Sequence, residues 1–425
     1  MLLKEQRLCK LYIYEVSSMK YIRNVLVITP LYPAEDQPKE NTPVVHYFTR
    51  QWAKKGYNVV VINYPYNFPK IILNIVKPIS KYLKQFFGMA VVRTSYLQER
   101  EYFLDDVRVK RIPLLKYKPH GRYGRRVIAE GFEKAVTYLE SIDFVPDVIT
   151  SHWANPTLDL LPLFKNKYDV PICYVDHLAG RDIIPVYRKD AFSLLKSIDV
   201  IGYRSAYIKK AFEEQFHPLC NSFFCYSGIP SGFLPDISRK KNFNCIKNFI
   251  YVGTLIKRKY PAEILPALNA SFGKEPFKMV YVGRGDEESS IRNTAERIGV
   301  LDKVELCGFM PREDVVKKMD ESQVFVMMSK NETFGLVYLE AMARGCITIA
   351  SKREGFDGII EDGVNGFLCE AGDPVDLARI ITRIKGMSSN ELWAISQKAM
   401  KTATTLTDEN VAETYMEHLK DIINS

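Results

Sequence analysis

Residues 329–366 read SKNETFGLVYLEAMARGCITIASKREGFDGIIEDGVNG. The residues just before them, 324–328, form an apolar run of strand length, and 348–351 form another. Between the two runs, LVYLEAMA combines strong helix formers with an apolar face; start signals lie at 331–333 and Gly345 supplies the stop. Within this unit Glu332 and Glu340 stand eight residues apart, with Phe334 and Gly335 between them. Glu332 falls in the loop ahead of the helix and Glu340 about two turns in, so the carboxylates lie up to ~12 Å apart along the axis. Two acids acting on one bond sit closer than that. The spacing suits the two ends of one extended ligand, with the amides of Phe334, Gly335 and Leu336 turned towards an anion between them. Taken without context, the same pair reads more simply as a cap and a solvated helix residue.

The alternation continues outward in both directions. In the first half, strand-like runs at 24–30, 58–63, 107–112, 147–151, 172–176, 200–204 and 223–226 are separated by helical patterns at 44–55, 125–142, 157–166 and 206–216. A stretch rich in Gly, Pro, Ser and Lys at 227–248 reads as a linker. The pattern then restarts at 249–253, 279–283, 303–306, 324–328 and 348–351. Strands alternating with helices predict α/β structure: two Rossmann-like, doubly wound parallel sheets facing a central cleft. The expected domains are 1–235 (with 1–18 a loose extension), 236–405, and a closing helix at 406–425 that packs back on the first domain. Ligands of such sheets bind beyond the carboxyl ends of the strands. His152, Lys259 and Glu332 all follow strand ends.

Composition narrows the class. A chain of 425 residues can hold two cores, and 47% apolar with 26% charged residues is ordinary for a globular protein. The net charge of +9 favours an anionic partner, whether a membrane surface, a nucleotide or both. Eight cysteines without a C-x-x-C pair read as reduced thiols of a cytoplasmic protein. No apolar run reaches ~18 residues, so no transmembrane helix is expected. The first 18 residues lack the pattern of a signal peptide.

The Glu332-to-Glu340 stretch resembles the E-x7-E signature of retaining glycosyltransferase family 4, whose fold is GT-B. That resemblance implies transfer of a sugar from a UDP- or GDP-linked donor to a hydroxyl, with retention and no required cofactor or metal. It makes Glu332 the group that holds the donor sugar and Glu340 the acceptor of the ribose hydroxyls. IYVGTLIKRKYPAEILPAL (250–268) is similar to the family's strand followed by G-R-L-x-x-x-K. Gly253 then lets the backbone approach the ligand and Lys259 holds the diphosphate, where fixed positive charge is needed as the bond breaks. The family's arginine is Thr254 here, and Arg258 or Lys257 is expected to compensate. ELCGFMPREDV resembles the loop beside the base, around Gly308, Phe309 and Met310. The G-x-G of MVYVGRGDEESS lacks the third glycine of a nicotinamide fingerprint and is similar to the family's structural turn.

In the first half, PDVITSHWANPTLDLL resembles the family's strand-end histidine, at His152, and His177 follows the next strand. The family's glycine pair after the first strand is missing from LYPAEDQPKENTPVVHYF; Asn41 and Thr42 take its place and the loop is expected to serve the acceptor. No strand-end acid stands out as an inverting base, so the departing phosphate is expected to take the acceptor proton. Residues 68–92 interleave Lys77, Lys81 and Lys84 with apolar and aromatic residues, a pattern that suits either a membrane-interface helix or one packed on its own domain. With Lys110, Arg111, Lys116, Lys118, Arg122, Arg125 and Arg126 it is expected to hold a saccharide or lipid-linked acceptor at the inner face of a membrane, with no nucleic acid involved. The expected setting is surface polysaccharide synthesis. A nucleotide-sugar epimerase of the same fold and a non-catalytic scaffold are the alternatives.

Overall fold

The computed structural model describes residues 21–36, 43–69, 71, 96–118, 121–234 and 241–424. Residues 1–18, Asn41, Thr42, Lys77, Lys81 and Lys84 lie outside these, as does nearly all of 68–92. The chain forms two compact units. The first holds the residues up to Gly202, Phe212–Phe223 and those from Ala412 on; the second holds Tyr203–Ala211 and Phe224–Val411.

The first unit is built on an eight-stranded sheet. Its spatial order is Asn221–Phe224, Val200–Tyr203, Ile172–Asp176, Val148–His152, Asn24–Thr29, Asn58–Asn63, Val107–Arg111 and Arg100–Leu104. The strands from Ile172–Asp176 to Val107–Arg111 pair in parallel. Those from Ile172–Asp176 to Asn58–Asn63 are buried almost throughout, as strands covered on both faces must be, whereas Val107–Arg111 alternates buried and half-buried residues. Arg100–Leu104 was not expected from the sequence; it pairs antiparallel with Val107–Arg111. The two residues between them, Asp105 and Asp106, have φ of 46° and 63°, the conformation that a tight hairpin demands. Asp-Asp lacks the glycine that usually marks such a turn, which hid the hairpin.

The second unit has a six-stranded, all-parallel sheet. The order is Val304–Gly308, Lys278–Val282, Asn248–Val252, Val324–Val326, Ile347–Ser351 and Phe367–Cys369. Numbered within the unit, that order is 3-2-1-4-5-6, and it reverses direction between Asn248–Val252 and Val324–Val326. In the first unit the same reversal falls between Asn24–Thr29 and Val148–His152. Such switch points open a crevice at the carboxyl ends of the two flanking strands.

The units divide the chain differently from the expected boundary at 235/236. Residues 227–234 are not a free linker: Ile229 is buried, its N–H donates to Leu406 C=O at 3.1 Å and its C=O accepts from Asp408 N–H at 2.9 Å. Arg204 reaches across to Cys225 C=O at 2.6 Å and to the Ser227 hydroxyl. The closing helix is Asp408–Asn424. Within the first unit, Trp52 Nε1 donates to Ala412 C=O at 2.8 Å, and Tyr415 packs against Phe48, Trp52 and Phe223. Among the described residues, no helix is long and apolar enough to cross a membrane.

Candidate active site

The second unit's switch point brings together the loops after Asn248–Val252 and Val324–Val326. The first loop ends in the short turn Lys257–Lys259. The second runs from Met327 into the helix Leu336–Ala343. They are tied by their main chains: Lys330 N–H donates to Arg258 C=O at 2.7 Å, and the Arg258 guanidinium donates to Lys330 C=O at 3.1 Å. Lys259 Nζ consequently stands 3.4 Å from Glu332 Oε2, with both side chains nearly buried. Arg258 lies farther off, at 3.7 Å, and its guanidinium is held by loop carbonyls. Gly253 takes φ +153°, and a Cβ there would make ordinary contact with Lys259 Nζ at 3.5 Å. Thr254 is exposed at the start of the loop.

Glu332 is positioned from below by residues the sequence did not single out. Its N–H donates to the buried Glu354 carboxylate at 2.8 Å, and its C=O accepts from Gly355 N–H at 2.9 Å. Phe334 is an anchor, buried against Tyr226 and Phe356. Gly335 takes φ +86°, and a Cβ there would collide with the Tyr338 ring at 2.5 Å. Tyr338 is held in turn: its hydroxyl donates to Met327 C=O at 2.9 Å and accepts from the Ser329 hydroxyl at 2.9 Å. The helix begins only at Leu336, so Glu340 sits about one turn in rather than two. Among the described residues no side chain caps the helix start, and the Tyr338 N–H donates to Gly335 C=O at 2.9 Å.

Glu340 is nearly buried and accepts from Arg312 at 2.6 Å. Burial pushes its carboxyl above the usual range, and Arg312 works against that push. Arg312 was missed because it lies 28 residues away and reads as an ordinary cation in the first turn of the helix Arg312–Glu321. Gly308 ends its strand with φ +67° and the Arg284 guanidinium beside it; Phe309 is 76% exposed and Met310 is partly covered. The G-x-G turn is structural, since a Cβ on Gly283 would fall 1.9 Å from Gly253 C=O.

The first unit places His152 and His177 together, His152 Nδ1 lying 3.0 Å from His177 Nε2. Both are buried; His152 sits among Phe48, Trp153 and Tyr415, and Trp153 stacks on His177 with ring centres 4.1 Å apart. The strand Ile172–Asp176 ends in an acid. Asp176 is fully buried, accepting from Tyr174 OH at 3.1 Å and from Gly180 N–H, which makes it a brace for the following turn.

The expected basic cluster is largely neutralised by carboxylates that folding brings opposite it. Arg111 is buried in a two-bond pair with Asp36 at 2.7 Å. Arg122 is shared between Asp159 and Asp190, at 2.6 and 2.5 Å. Lys110 pairs with Glu99 and Arg126 with Glu130. Arg125 opens its helix exposed, and Lys118 is exposed.

A family profile described as Glycosyl transferases group 1 matches residues 236–402. The chain is 30% identical over 287 residues to N-acetyl-alpha-D-glucosaminyl L-malate synthase of Bacillus anthracis, spanning 65% of this chain and 72% of that protein. It is 32% identical over 275 residues to the lipopolysaccharide core biosynthesis glycosyltransferase LpsE of Rhizobium meliloti, spanning 58% and 76%. Among solved structures, Anabaena HepE in complex with UDP superposes with a TM-score of 0.64 at 16% identity, over 94% of this chain and all of that one. That likeness shows the fold, which is GT-B, with two Rossmann-like domains.

Proposed function

The chain belongs to the glycosyl transferases group 1 family and is a glycosyltransferase, and from that premise we propose that it moves a sugar from a nucleotide-sugar to a hydroxyl with retention at the anomeric carbon. The observation that carries this reading is the meeting of Lys259 with Glu332 at the switch point of the second unit, with Glu340 one turn into the helix that the same loop enters. In this reading the ribose hydroxyls bond to Glu340 and the base lies along Gly308–Met310. The diphosphate lies between Lys259 and the leading amides of the helix, and Glu332 takes hydroxyls of the sugar.

As the sugar–oxygen bond breaks, negative charge grows on the leaving phosphate. In this reading Lys259, held against Glu332 at 3.4 Å, and the helix amides meet that charge, and groups fixed beforehand need no reorganisation at that moment. Glu332 holds the sugar from the loop that Glu354 and Gly355 brace. The departing phosphate oxygen takes the proton of the acceptor hydroxyl, since Asp176 is sealed in its turn and offers no base. LpsE is named for lipopolysaccharide core synthesis, which favours a saccharide or lipid-linked acceptor in surface polysaccharide assembly, and HepE is seen in complex with UDP, which favours a UDP-linked donor.

A thermal-shift screen of UDP-, GDP- and ADP-glucose tests the site. One of them is expected to raise the melting temperature of the wild type and to lose that effect on Glu340→Ala. An undiminished shift in the variant would place the nucleotide elsewhere. Product analysis without acceptor covers the epimerase reading, which predicts a new isomer or free sugar.

A further inference from the structure

Arg312 is separated from the Gly308–Met310 loop by Pro311 alone and opens the helix Arg312–Glu321. Its guanidinium meets two groups at once. It donates to Glu340 Oε1 at 2.6 Å, and its central carbon lies 4.2 Å from the centre of the Phe233 ring. The Glu340 side chain is only 14% exposed and that of Arg312 is 41% exposed. A nearly buried carboxylate is thus matched by a cation that is seated on an aromatic face and still open to solvent. The seat itself is fixed, because Phe233 C=O accepts from Arg344 at 3.1 Å while Arg344 holds Asp320 by two bonds of 2.7 Å. Arg344 is therefore committed elsewhere, although its N–H closes the helix on Glu340 C=O. Lys259 and Arg258 face Glu332. Arg312 is the charged side chain that opposes the effect of burial on Glu340.

A carboxylate receives both hydroxyls of a ribose best when ionised, because protonation turns one oxygen into a donor and leaves fewer lone pairs to accept. We infer that Arg312 is a positioning residue of the nucleotide site: from its seat on Phe233 it keeps the Glu340 carboxylate charged and aimed, leaving Oε2 and the remaining lone pairs for the ribose of a nucleoside diphosphate. This rests on Glu340 as the ribose acceptor, the reading proposed above. The arrangement makes nucleotide affinity depend on pH through Glu340, with Arg312 setting how far the pH can fall before the site is lost.

The test is calorimetric titration of UDP, GDP and ADP into the wild type, Arg312→Gln, Arg312→Lys and Glu340→Gln at pH 5.5, 6.5 and 7.5. Phosphate titration of the ligand divides out when each variant is expressed as a ratio to wild type. At pH 7.5, Arg312→Gln is expected to bind about tenfold more weakly, and the ratio is expected to widen about tenfold more by pH 5.5, because the uncompensated carboxylate takes its proton earlier. Arg312→Lys keeps a cation and is expected to keep the wild-type pH profile. A ratio for Arg312→Gln that is the same at every pH overturns the inference, since a residue that merely shaped the loop would weaken binding uniformly. Equal or tighter binding by Arg312→Gln also overturns it, by making Arg312 a competitor for Glu340. Wild-type affinity in Glu340→Gln, or no nucleoside diphosphate binding to wild type at all, rejects the underlying nucleotide site instead.

Discussion

Replacing Gly355 by alanine is expected to cripple catalysis while leaving the protein folded. A Cβ at Gly355 would stand 2.5 Å from Phe334 N and Thr333 C and 2.6 Å from Glu332 O. All three are main-chain atoms, so no rotamer change relieves the clash. The nearest of them must retreat about 0.9 Å to reach the ordinary contact distance of 3.4 Å. That movement falls on the loop carrying Glu332 and strains the 2.9 Å bond from Gly355 N–H. Overpacking of this kind costs about 1–3 kcal/mol and the lost bond about 1 kcal/mol. The sum lies below the ~5–15 kcal/mol that holds a typical domain together, so the melting temperature should fall by roughly 5–10 °C. Misplacing a reacting group by ~1 Å costs about a hundredfold in rate. Release of nucleoside diphosphate from whichever sugar nucleotide shifts the wild type should therefore show kcat down about a hundredfold, with KM for the donor changed much less. Gly386→Ala, at the end of the helix Pro374–Gly386 with nothing within 4 Å of the new Cβ, is the matched control and should be neutral. If Gly355→Ala melts lower as expected yet retains more than half of kcat, the position of Glu332 does not limit the reaction and the reasoning fails.

Three further outcomes are expected. Lys259→Met should weaken nucleoside diphosphate binding about 10–100-fold, the worth of a charge-assisted bond, while leaving binding of the bare nucleoside unchanged; an equal loss for both would deny Lys259 its phosphate. Burial, with Asp182 adding to it, raises Asp176 from 3.8 to about 7, so its contribution to stability is full below pH 3.8, declines as pH rises to 7 and is level beyond. Asp176→Asn should remove that decline, worth about 4 kcal/mol, and parallel melting curves for wild type and variant from pH 4 to 7 would refute the assignment. Trp52→Phe deletes the bond to Ala412 C=O and should cost about 1–3 kcal/mol, read as faster hydrogen exchange in the helix Asp408–Asn424; unchanged protection there would show that the tie is idle.

Much of the molecule was legible from pattern alone. Apolar runs of strand length, helix formers and the punctuating glycines are local properties, and the parallel strands from Asn24–Thr29 to Ile347–Ser351 lie within a few residues of where those signals put them. Glu332 and Lys259 were singled out by the resemblance of their stretches to the family's motifs, and both lie in loops that follow strands of the parallel sheet, where the crevice opens. What failed locally was the hairpin at Asp105–Asp106, where aspartates adopt a conformation that glycine normally announces.

The chain's own order of residues thus determined the α/β class, the position of the site loops and the residue types that chemistry requires there. Only tertiary structure decided which charges remain available. Lys110, Arg111 and Arg122 looked like a basic surface until Glu99, Asp36 and Asp159 folded against them, and Arg312 looked like a surface cation until it reached Glu340. Glu354 and Gly355 became the brace of Glu332 by the same route. The reason is physical: periodicity records which face of an element is apolar, whereas an ion pair forms between residues whose separation along the chain leaves no mark in either segment.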